Sequence, residues 1–551
     1  MGFYLNSRKA RSNYKEITET AYFVDKSLMI EELIPIVGEG EGIVSRAGRW
    51  IGKSSKYICI TRPRRFGKTV MANMIAAYFG KEIDSREIFD KLEIHSCERY
   101  EQHLNQHDVI YITFNEMPNE CRTYRQYVSR IEKRLLADLT RKFPGACIED
   151  ADSLWDALNN IYELEEEIKF IFVLDEWDYI FHKDFVTDKD KEEYLGFLSN
   201  LLKDQPYVEL AYMTGILPIA KYSSGSELNM FLEYTMAAER KYCDYFGFTE
   251  AEVDCLYDRY QNITDDRNIT REGLRLWYNG YHTVSGERLY NPRSVVAALT
   301  NNNLGNYWTS SGPYDEIFYY VKNNVDDVRD DVALMVSGEA VSVRVREYAA
   351  TSMELSTKEE IFSAMVVYGF LSNEKDRVSI PNKELMDRFE DMLLKESSLG
   401  YVYRLAKASD QMLRATLKGD IGTMLEILEY AHNTEIPLLS YSNEAELTAV
   451  VNLVYLSARD KYWIEREDKS GIGYTDFIFY PKDPGNDGII LELKVDCTPE
   501  EAIRQIKDRQ YALNFRGKLG GKPRCTGRIL AVGIVFDRRN KVHGCKIEIL
   551  D

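Results

Sequence analysis

Short apolar runs alternate with longer helix-like stretches through the first half of the chain. Strands that are buried on both faces read as nearly continuous apolar runs, and a strand–helix–strand order joins parallel strands. The apolar runs cover residues 56–61, 108–115, 168–174 and 208–214, and the helical stretches between them include 69–79, 124–142 and 191–203. The pattern therefore predicts an α/β domain built on a parallel sheet that is covered by helices.

Composition excludes several other classes of protein. Of the 551 residues 44% are hydrophobic and only 14 are proline, so the chain can bury large cores and lacks the bias of a disordered or collagen-like protein. The nine cysteines include no Cys-x-x-Cys spacing, which favours a reducing compartment over a disulfide framework or a structural zinc site. No apolar run approaches the roughly 18 residues that span a bilayer, so we expect a cytoplasmic protein with no membrane partner.

The first apolar run leads directly into a basic loop, residues 62–69, with the sequence RPRRFGKT. Gly67 lets backbone N–H groups approach phosphate oxygens, and the helix that follows adds the partial positive charge of its N-terminus. Lys68 would reach the outer phosphates of a nucleotide, and Thr69 would hold Mg²⁺. Arg62 stands where the usual pattern has a further glycine.

Two later apolar runs end in polar residues that would face the same crevice. The third run ends in Asp175 and Glu176, and the fourth ends in Thr214. Because the carboxyl ends of parallel strands meet at one edge of a sheet, these residues would lie near the basic loop. Asp175 would bind Mg²⁺ through water, Glu176 would polarise the attacking water, and Thr214 would sense the third phosphate. Loop, helix and acidic strand end in this order predict a P-loop NTPase sheet that binds ATP with Mg²⁺.

The arginines of the loop leave two hypotheses open. Arg64 and Arg65, together with Arg62, would face the phosphates of the bound nucleotide. In one hypothesis the site hydrolyses ATP. In the other the arginines only neutralise the phosphates of a nucleotide that is held tightly and is not hydrolysed.

A second group of charged residues lies in the C-terminal part of the chain, where the pattern predicts a hairpin. Side chains alternate along a strand, so Glu492 and Lys494 project from one face, and Asp476 on the neighbouring strand can lie beside Glu492. Two carboxylates are hard oxygen ligands for Mg²⁺ or Mn²⁺. Lys494 could orient or deprotonate water and offset charge in a phosphodiester transition state. The alternative is a charged pair on an exposed antiparallel face.

Two predicted helices, 444–458 and 499–515, flank this hairpin. Glu446 would be a further metal or water ligand, with Glu444 as the competing choice. Gln505 on the second helix would position the lysine or the DNA backbone. Ordinary solvent exposure is the alternative for both helical residues.

These motifs together resemble a bacterial family that joins an AAA-ATPase-like domain to a C-terminal nuclease-like domain of the PD-(D/E)XK superfamily. The resemblance implies an ATPase site at Lys68, Thr69, Asp175 and Glu176. It also implies a restriction-endonuclease-like α/β domain whose metal and lysine positions are Asp476, Glu492 and Lys494. The matching pieces are residues 22–27, 62–69, 174–178, 214–216, 246–249, 277–281, 290–292 and 307–308, followed by the set 476, 492 and 494.

The expected organisation has three parts. Residues 1–300 would form the P-loop domain with a helical lid, residues 301–435 a mostly helical linker domain, and residues 436–551 the nuclease-like domain. Aromatic clusters at 277–281 and 307–308 are expected to pack between the ATPase core and the lid rather than to stack on bases.

Charge places the expected nucleic-acid partner at the C-terminus. The formal net charge is 70 − 89 = −19, but residues 496–551 hold twelve Lys and Arg against seven Asp and Glu, so this segment carries +5 and the remainder −24. The leading hypothesis is an ATP-regulated, Mg²⁺-dependent nuclease, with DNA as substrate rather than RNA by resemblance. The alternative is a nucleotide-dependent switch whose nuclease-like domain is a docking module without chemistry. A homo-oligomer is compatible with either.

Overall fold

The computed structural model describes residues 2–38, 42–45, 48, 50–52, 55–149, 151–164, 168–183, 185–219, 227–236, 240–308, 325–345, 357–433, 444–465, 477–508, 515, 518–519, 522–523 and 525–550. The chain forms two compact units. The first unit comprises Met1–Pro313 and Val343–Glu384, and the second comprises Tyr314–Ser342 and Leu385–Asp551. The predicted borders after residues 300 and 435 stay a prediction. The two units divide the helical middle of the chain between them, with Val343–Glu384 in the first unit and Tyr314–Ser342 in the second.

Helices occur throughout both units, and many begin at a residue whose side chain caps the first turn, such as Ser7, Thr123 and Thr249. The helices are α1 Arg8–Thr18, α2 Met29–Leu33, α3 Lys68–Phe79, α4 Arg86–Phe89, α5 Tyr100–His103, α6 Tyr124–Lys142, α7 Leu154–Tyr162, α8 Asp188–Leu202, α9 Glu250–Ile263, α10 Arg271–Tyr278, α11 Pro292–Asn301, α12 Val325–Val336, α13 Lys358–Tyr368, α14 Lys383–Lys395, α15 Tyr401–Lys418, α16 Ile421–Asn433, α17 Glu444–Val454 and α18 Pro499–Asp508.

Strands are concentrated in two sheets, one in each unit, with short hairpins elsewhere. The strands are β1 Gly42–Val44, β2 Trp50–Gly52, β3 Tyr57–Thr61, β4 Asp108–Thr113, β5 Phe170–Asp175, β6 Val208–Gly215, β7 Leu232–Tyr234, β8 Tyr281–His282, β9 Arg288–Leu289, β10 Val341–Ser342, β11 Ser372–Glu374, β12 Arg377–Ser379, β13 Tyr462–Glu465, β14 Phe477–Pro481, β15 Gly488–Val495, β16 Lys518–Leu519, β17 Lys522–Pro523, β18 Ile529–Asp537 and β19 Val542–Leu550.

The first unit is built on a parallel sheet with the strand order β4-β5-β6-β3-β7. Its side chains alternate between two apolar cores, so that Phe172 and Leu174 enter one core while Ile171 and Val173 enter the other. Burial on both faces explains the continuous apolar runs, and the predicted parallel sheet is confirmed. Asp175 lies opposite Thr214 in the register of β5 and β6, so these strand ends meet at one edge.

Helices α9, α10 and α11 form a further apolar cluster within the first unit, with Tyr260 and Tyr278 at its centre. The aromatic residues of the two predicted clusters pack as expected. Tyr281 is buried, with its ring centroid 4.9 Å from that of Phe66 in the basic loop, and Trp308 lies 5.0 Å from Phe370.

The second unit contains a mixed sheet with the order β13-β14-β15-β18-β19. Strands β15 and β18 are parallel, and the other neighbours are antiparallel. The predicted hairpin is confirmed as β14 and β15, in which Phe477 pairs with Leu491. Helix α18 packs Ile503 and Ile506 onto Ile490 of this sheet, because its apolar residues lie three or four positions apart. Within the described parts of the chain, no helix is both long and apolar enough to cross a membrane.

Candidate functional site

The loop between β3 and α3 turns sharply toward the N-terminus of the helix. Arg65 and Gly67 have left-handed backbone conformations, with φ of 72° and 89°. A side chain at position 67 would meet open space, so the positive φ rather than crowding favours glycine there. This turn leaves Gly67, Lys68 and Thr69 lining one cavity of the first unit.

Lys68 is buried, and its ammonium group already has acceptors within the loop. Its Nζ donates to the carbonyl oxygens of Arg62 and Pro63, each at 2.8 Å. Burial lowers the pKa of Lys68 to about 8, against the opposing attraction of nearby carboxylates, of which Asp178 has the largest effect. Phosphate oxygens entering the loop would replace these carbonyl acceptors with charged ones.

Asp175 ends β5 and is fully buried. Neither of its carboxylate oxygens has a hydrogen-bond partner of normal geometry among the described residues. Burial raises its pKa to about 7, with a further rise from Glu176, while the nearby Thr69 hydroxyl opposes the shift. A buried carboxylate beside a hydroxyl is a set of hard oxygens, and such a set fits Mg²⁺.

The other predicted strand-end residues lie at different depths. Glu176 has a left-handed φ of 54°, is half-buried and lines the cavity. Thr214 is fully buried at the end of β6 and does not line it. The structure therefore gathers Lys68, Thr69 and Glu176 around the cavity, whereas Thr214 is not part of its lining.

The three arginines of the loop point in different directions. Arg62 is buried, donates to the carbonyl oxygens of Thr61 and Tyr234 at 2.8 and 2.7 Å, and lies over the ring of Phe246. It therefore joins β3 to β7. Arg64 and Arg65 line the cavity, and burial together with two neighbouring guanidinium groups lowers the pKa of Arg65.

The cavity has a volume of about 810 Å³, which suits a nucleotide-sized ligand. Arginine, lysine and carboxylate groups gather in the part formed by the basic loop. Much of the remaining wall is apolar, which suits a flat base. The apolar lining residues include Tyr14, Ile17, Tyr22, Phe23, Phe248 and Val296.

Sequence reasoning missed several residues that support this site. The Arg64 carbonyl accepts from Trp308 Nε1 at 3.3 Å and from Asn291 Nδ2 at 3.5 Å. Buried Asp178 holds the backbone that follows β6. Asp178 lies in the matching segment 174–178, but the sequence assigned it no role of its own.

In the second unit, three of the predicted residues converge. Glu492 on β15 is fully buried. Lys494 Nζ lies 2.9 Å from its Oε1, and Gln505 Nε2 on α18 donates to the same oxygen. The contact confirms that Glu492 and Lys494 share a face of the strand. It also shows that Gln505 faces the carboxylate.

The remaining members of this predicted group lie outside what is described. Asp476 is not among the described residues, so its place beside Glu492 stays a prediction. Glu444 and Glu446 begin α17, which packs against β15, but their side chains are outside the described part. Among the described residues, no group of three or more His, Cys, Asp and Glu side chains could hold a metal. The described Glu492 supplies carboxylate oxygens, the ligand type that Mg²⁺ prefers.

Part of the predicted basic surface is neutralised. Lys507 on α18 pairs with Glu548, and Lys546 lies 3.4 Å from Glu500. Arg504 is exposed on the same helix. Arg509 and Arg516, two further cations of the segment 496–551, lie outside the described residues.

Comparison with known proteins found similar solved structures and two matching family models. Three of the similar solved structures are the following. The Walker-type ATPase of Pyrococcus abyssi is 12% identical, with 61% of this chain and 91% of that chain covered and a TM-score of 0.34. The ORC2 protein of Aeropyrum pernix is 9% identical, with coverage of 60% and 86% and a TM-score of 0.29. A signal transduction ATPase with a tetratricopeptide repeat sensor from Pyrococcus horikoshii is 12% identical, with coverage of 74% and 52% and a TM-score of 0.20.

A search of the curated proteins gave no match. Residues 10–224 match the family model described as a predicted AAA-ATPase, and residues 443–545 match the model of the PD-(D/E)XK nuclease superfamily. The chain thus joins an AAA-ATPase-like domain to a C-terminal domain of the PD-(D/E)XK nuclease superfamily.

Proposed function

We propose that the first unit binds and hydrolyses ATP with Mg²⁺, and that the second unit is a Mg²⁺-dependent phosphodiesterase that cleaves nucleic acid, DNA rather than RNA. Nucleotide binding would control access to the second site. The observation that carries the proposal is the cavity that brings Lys68 and Thr69 together with Glu176, beside the buried carboxylate of Asp175.

Each residue of the first site has its own role in binding or hydrolysing the nucleotide. Mg²⁺, held by Thr69 and Asp175, would offset the charge of the outer phosphates. Lys68 exchanges its two carbonyl acceptors for phosphate oxygens, and Arg64 and Arg65 add positive charge. Glu176 orients the attacking water and accepts its proton. Thr214 would report on the third phosphate through the end of β6.

In the second site, the carboxylates would bind a metal ion and the lysine would orient water. A divalent ion held by Asp476, Glu492 and Glu446 would stabilise charge on a phosphodiester. Gln505 fixes the Glu492 carboxylate, which in turn holds the Lys494 ammonium at 2.9 Å. From this position Lys494 orients water toward the phosphorus and balances the charge that develops there.

Nucleotide binding tests the first site. We expect Lys68→Ala to weaken binding of a slowly hydrolysed ATP analogue by at least about tenfold, because it removes a charged donor to phosphate. Isothermal titration calorimetry measures this change. Lys91→Ala, at an exposed lysine outside the cavity, is the matched control and should bind like the wild type. Retained affinity in Lys68→Ala would show that the phosphate site is misplaced.

Cleavage assays test the second site. Plasmid and single-stranded DNA are incubated with Mg²⁺ or Mn²⁺, with and without ATP. We expect metal-dependent cleavage that Lys494→Ala abolishes and that Lys541→Ala, at an exposed lysine of a turn, leaves intact. If Lys494→Ala still cleaves DNA, the nuclease active site does not lie at Lys494. No metal-dependent cleavage by the wild type, with ATP binding intact, would favour a switch with a docking module.

A further inference from the structure

Helix α15 of the second unit presents one exposed row of polar side chains. The row consists of Arg404, Lys407, Gln411, Arg414 and Lys418. Because these positions are three or four residues apart, they lie on one side of the helix, and at about 1.5 Å per residue the row is about 21 Å long. The opposite side of α15 is buried against α16 and α17. The row is therefore a continuous exposed surface on a well-packed helix.

The row is basic, although the chain as a whole is acidic. Four of its five residues are cations, and Asp410 is the one acidic residue in the sequence of α15. Asp410 pairs with Arg414 and lies 3.7 Å from the Nζ atom of Lys461, so its charge is shared between two cations. The neighbouring helix α16 carries exposed Glu426 and Glu429, but no ion pair joins them to α15 within the described chain. This surface therefore keeps an excess of positive charge.

The first two cations of the row do not stabilise the helix. Arg404 and Lys407 are three residues apart, so their like charges repel each other on neighbouring turns. Arg404 is the fourth residue of α15, near the positive end of the helix dipole, where an anion is favoured. Among the described residues, no carboxylate pairs with either cation. An anion from outside the protein would offset this repulsion.

Aromatic rings orient these two side chains without neutralising them. The guanidinium group of Arg404 lies over the ring of Tyr430, 5.8 Å from its centroid. The Nζ atom of Lys407 lies over the ring of Tyr403, 5.6 Å from its centroid. Both cations are thus held at the surface with their charge uncompensated.

We propose that the basic row of α15 binds the phosphate backbone of DNA. This inference rests on the proposed cleavage of DNA by the second unit, and it adds a binding surface outside the segment 496–551. A row of about 21 Å runs along about six base pairs, at about 3.4 Å of helix rise per pair. Gln411 keeps the middle of the row free of negative charge.

The chemistry of the row favours a nucleic-acid backbone over an acidic protein. The core of a protein interface is rich in aromatic side chains and poor in charged ones, lysine in particular. None of the described residues of α15 is an exposed large hydrophobic side chain. Phosphate contacts need only cations and supply the part of the affinity that does not depend on sequence. We therefore expect binding without sequence preference.

Fluorescence anisotropy with the full chain and a labelled duplex tests the proposal, in EDTA so that metal-dependent cleavage does not occur. We expect Arg404→Gln with Lys407→Gln to weaken binding by at least about tenfold at about 0.1 M salt. The slope of log affinity against log salt should fall by about 2, because each lost phosphate contact removes about 0.9. Arg388→Gln with Lys395→Gln on α14 is the matched control. Both of its cations already contact Asp391, so it should bind like the wild type.

A second double variant separates charge from structure. Arg404→Lys with Lys407→Arg exchanges the two side chains but keeps both charges, so it should bind DNA with the slope of the wild type. The glutamine pair should unfold at or above the temperature of the wild type, because it removes a repulsion. If the exchanged protein loses as much affinity as the glutamine pair, charge is not responsible and the proposal is overturned.

Equal affinity and equal slope in the wild type and the glutamine pair would overturn this inference. If metal-dependent cleavage still requires Lys494 in that case, the proposed function of the second unit survives. If the wild type neither binds nor cleaves DNA, both proposals fail. Labelled polyglutamate tests the other class of partner. Tighter binding of polyglutamate than of DNA, lost in the glutamine pair, would assign the row to an acidic protein and overturn the proposal.

Discussion

At the scale of single residues, the fold buries charged groups at the proposed nucleotide site. Burial raises the pKa of Asp175 to about 7 and lowers that of Lys68 to about 8. Each shift disfavours the charged form of the group, so a ligand-free site that holds both charges lowers the stability of the first unit. Mg²⁺ would supply a charged partner for Asp175, and phosphate would supply one for Lys68.

Asp175→Asn should therefore stabilise the ligand-free protein. The folded pKa lies above the ordinary value of 3.8, so stability is lost as pH rises from about 4 to about 7 and stays low above that. We expect the variant to exceed the wild type in unfolding free energy by about 2 kcal/mol at about pH 8, with the difference shrinking toward about pH 4. Urea unfolding in EDTA measures it. A variant less stable than the wild type at the higher pH would contradict this explanation.

At the scale of elements, a buried carboxylate joins several segments that support the basic loop. Glu384, in the first turn of α14, accepts from the Ser294 hydroxyl at 3.1 Å and from the backbone N–H groups of Tyr307 and Trp308, each at 2.6 Å. Trp308 in turn donates to the Arg64 carbonyl. The start of α14, the N-terminal turn of α11 and the loop before α3 therefore depend on one side chain.

Glu384→Ala should loosen this arrangement. Three buried donors would lose a charged acceptor, which we expect to lower the unfolding free energy of the first unit by about 2–4 kcal/mol. Glu384→Gln keeps an acceptor oxygen and should lose less than half as much. Thermal unfolding of the three proteins checks the order. Equal stability of the alanine variant and the wild type would show that the contacts contribute little.

The sequence predicted the bounds of the strands well, but it predicted long-range side-chain contacts poorly. The four predicted strands of the first sheet lie within two residues of the observed ones at either end, because strands buried on both faces leave continuous apolar runs. Glu492 and Lys494 were paired correctly because alternation along a strand is a local property. Arg62 was expected to face the phosphates but contacts the Tyr234 carbonyl, and Glu384 was given no role, since the contacts of both residues depend on partners more than 70 residues away in sequence.

At the scale of the whole molecule, the charge distribution limits how nucleic acid can bind. The net charge is −19, whereas the C-terminal segment 496–551 carries +5. Ion pairs such as Lys507 with Glu548 compensate part of that excess. Binding of a polyanion should therefore rest on few phosphate contacts and weaken as salt rises.

Salt titration of DNA binding should distinguish cations that contact phosphate from cations that are already in an ion pair within the protein. We expect Arg504→Ala to reduce the slope of log affinity against log salt by about 1, because it removes one phosphate contact. Lys507→Ala, one turn along the same helix face, should change the slope less, since its charge is already paired. Fluorescence anisotropy with labelled DNA measures both. A larger effect of Lys507→Ala would show that the ion pair opens on binding.

The central claim is that one chain carries two separate centres, one for a triphosphate and one for a metal that acts on a phosphodiester. A crystal soaked with Mn²⁺ and a slowly hydrolysed ATP analogue tests it most directly through the anomalous signal of the metal. We predict one manganese peak beside Thr69 and Asp175, next to the analogue, and a second beside Glu492 and Asp476. A peak at the first position alone would reduce the protein to a nucleotide-binding protein, and an analogue bound away from Lys68 would contradict the first centre.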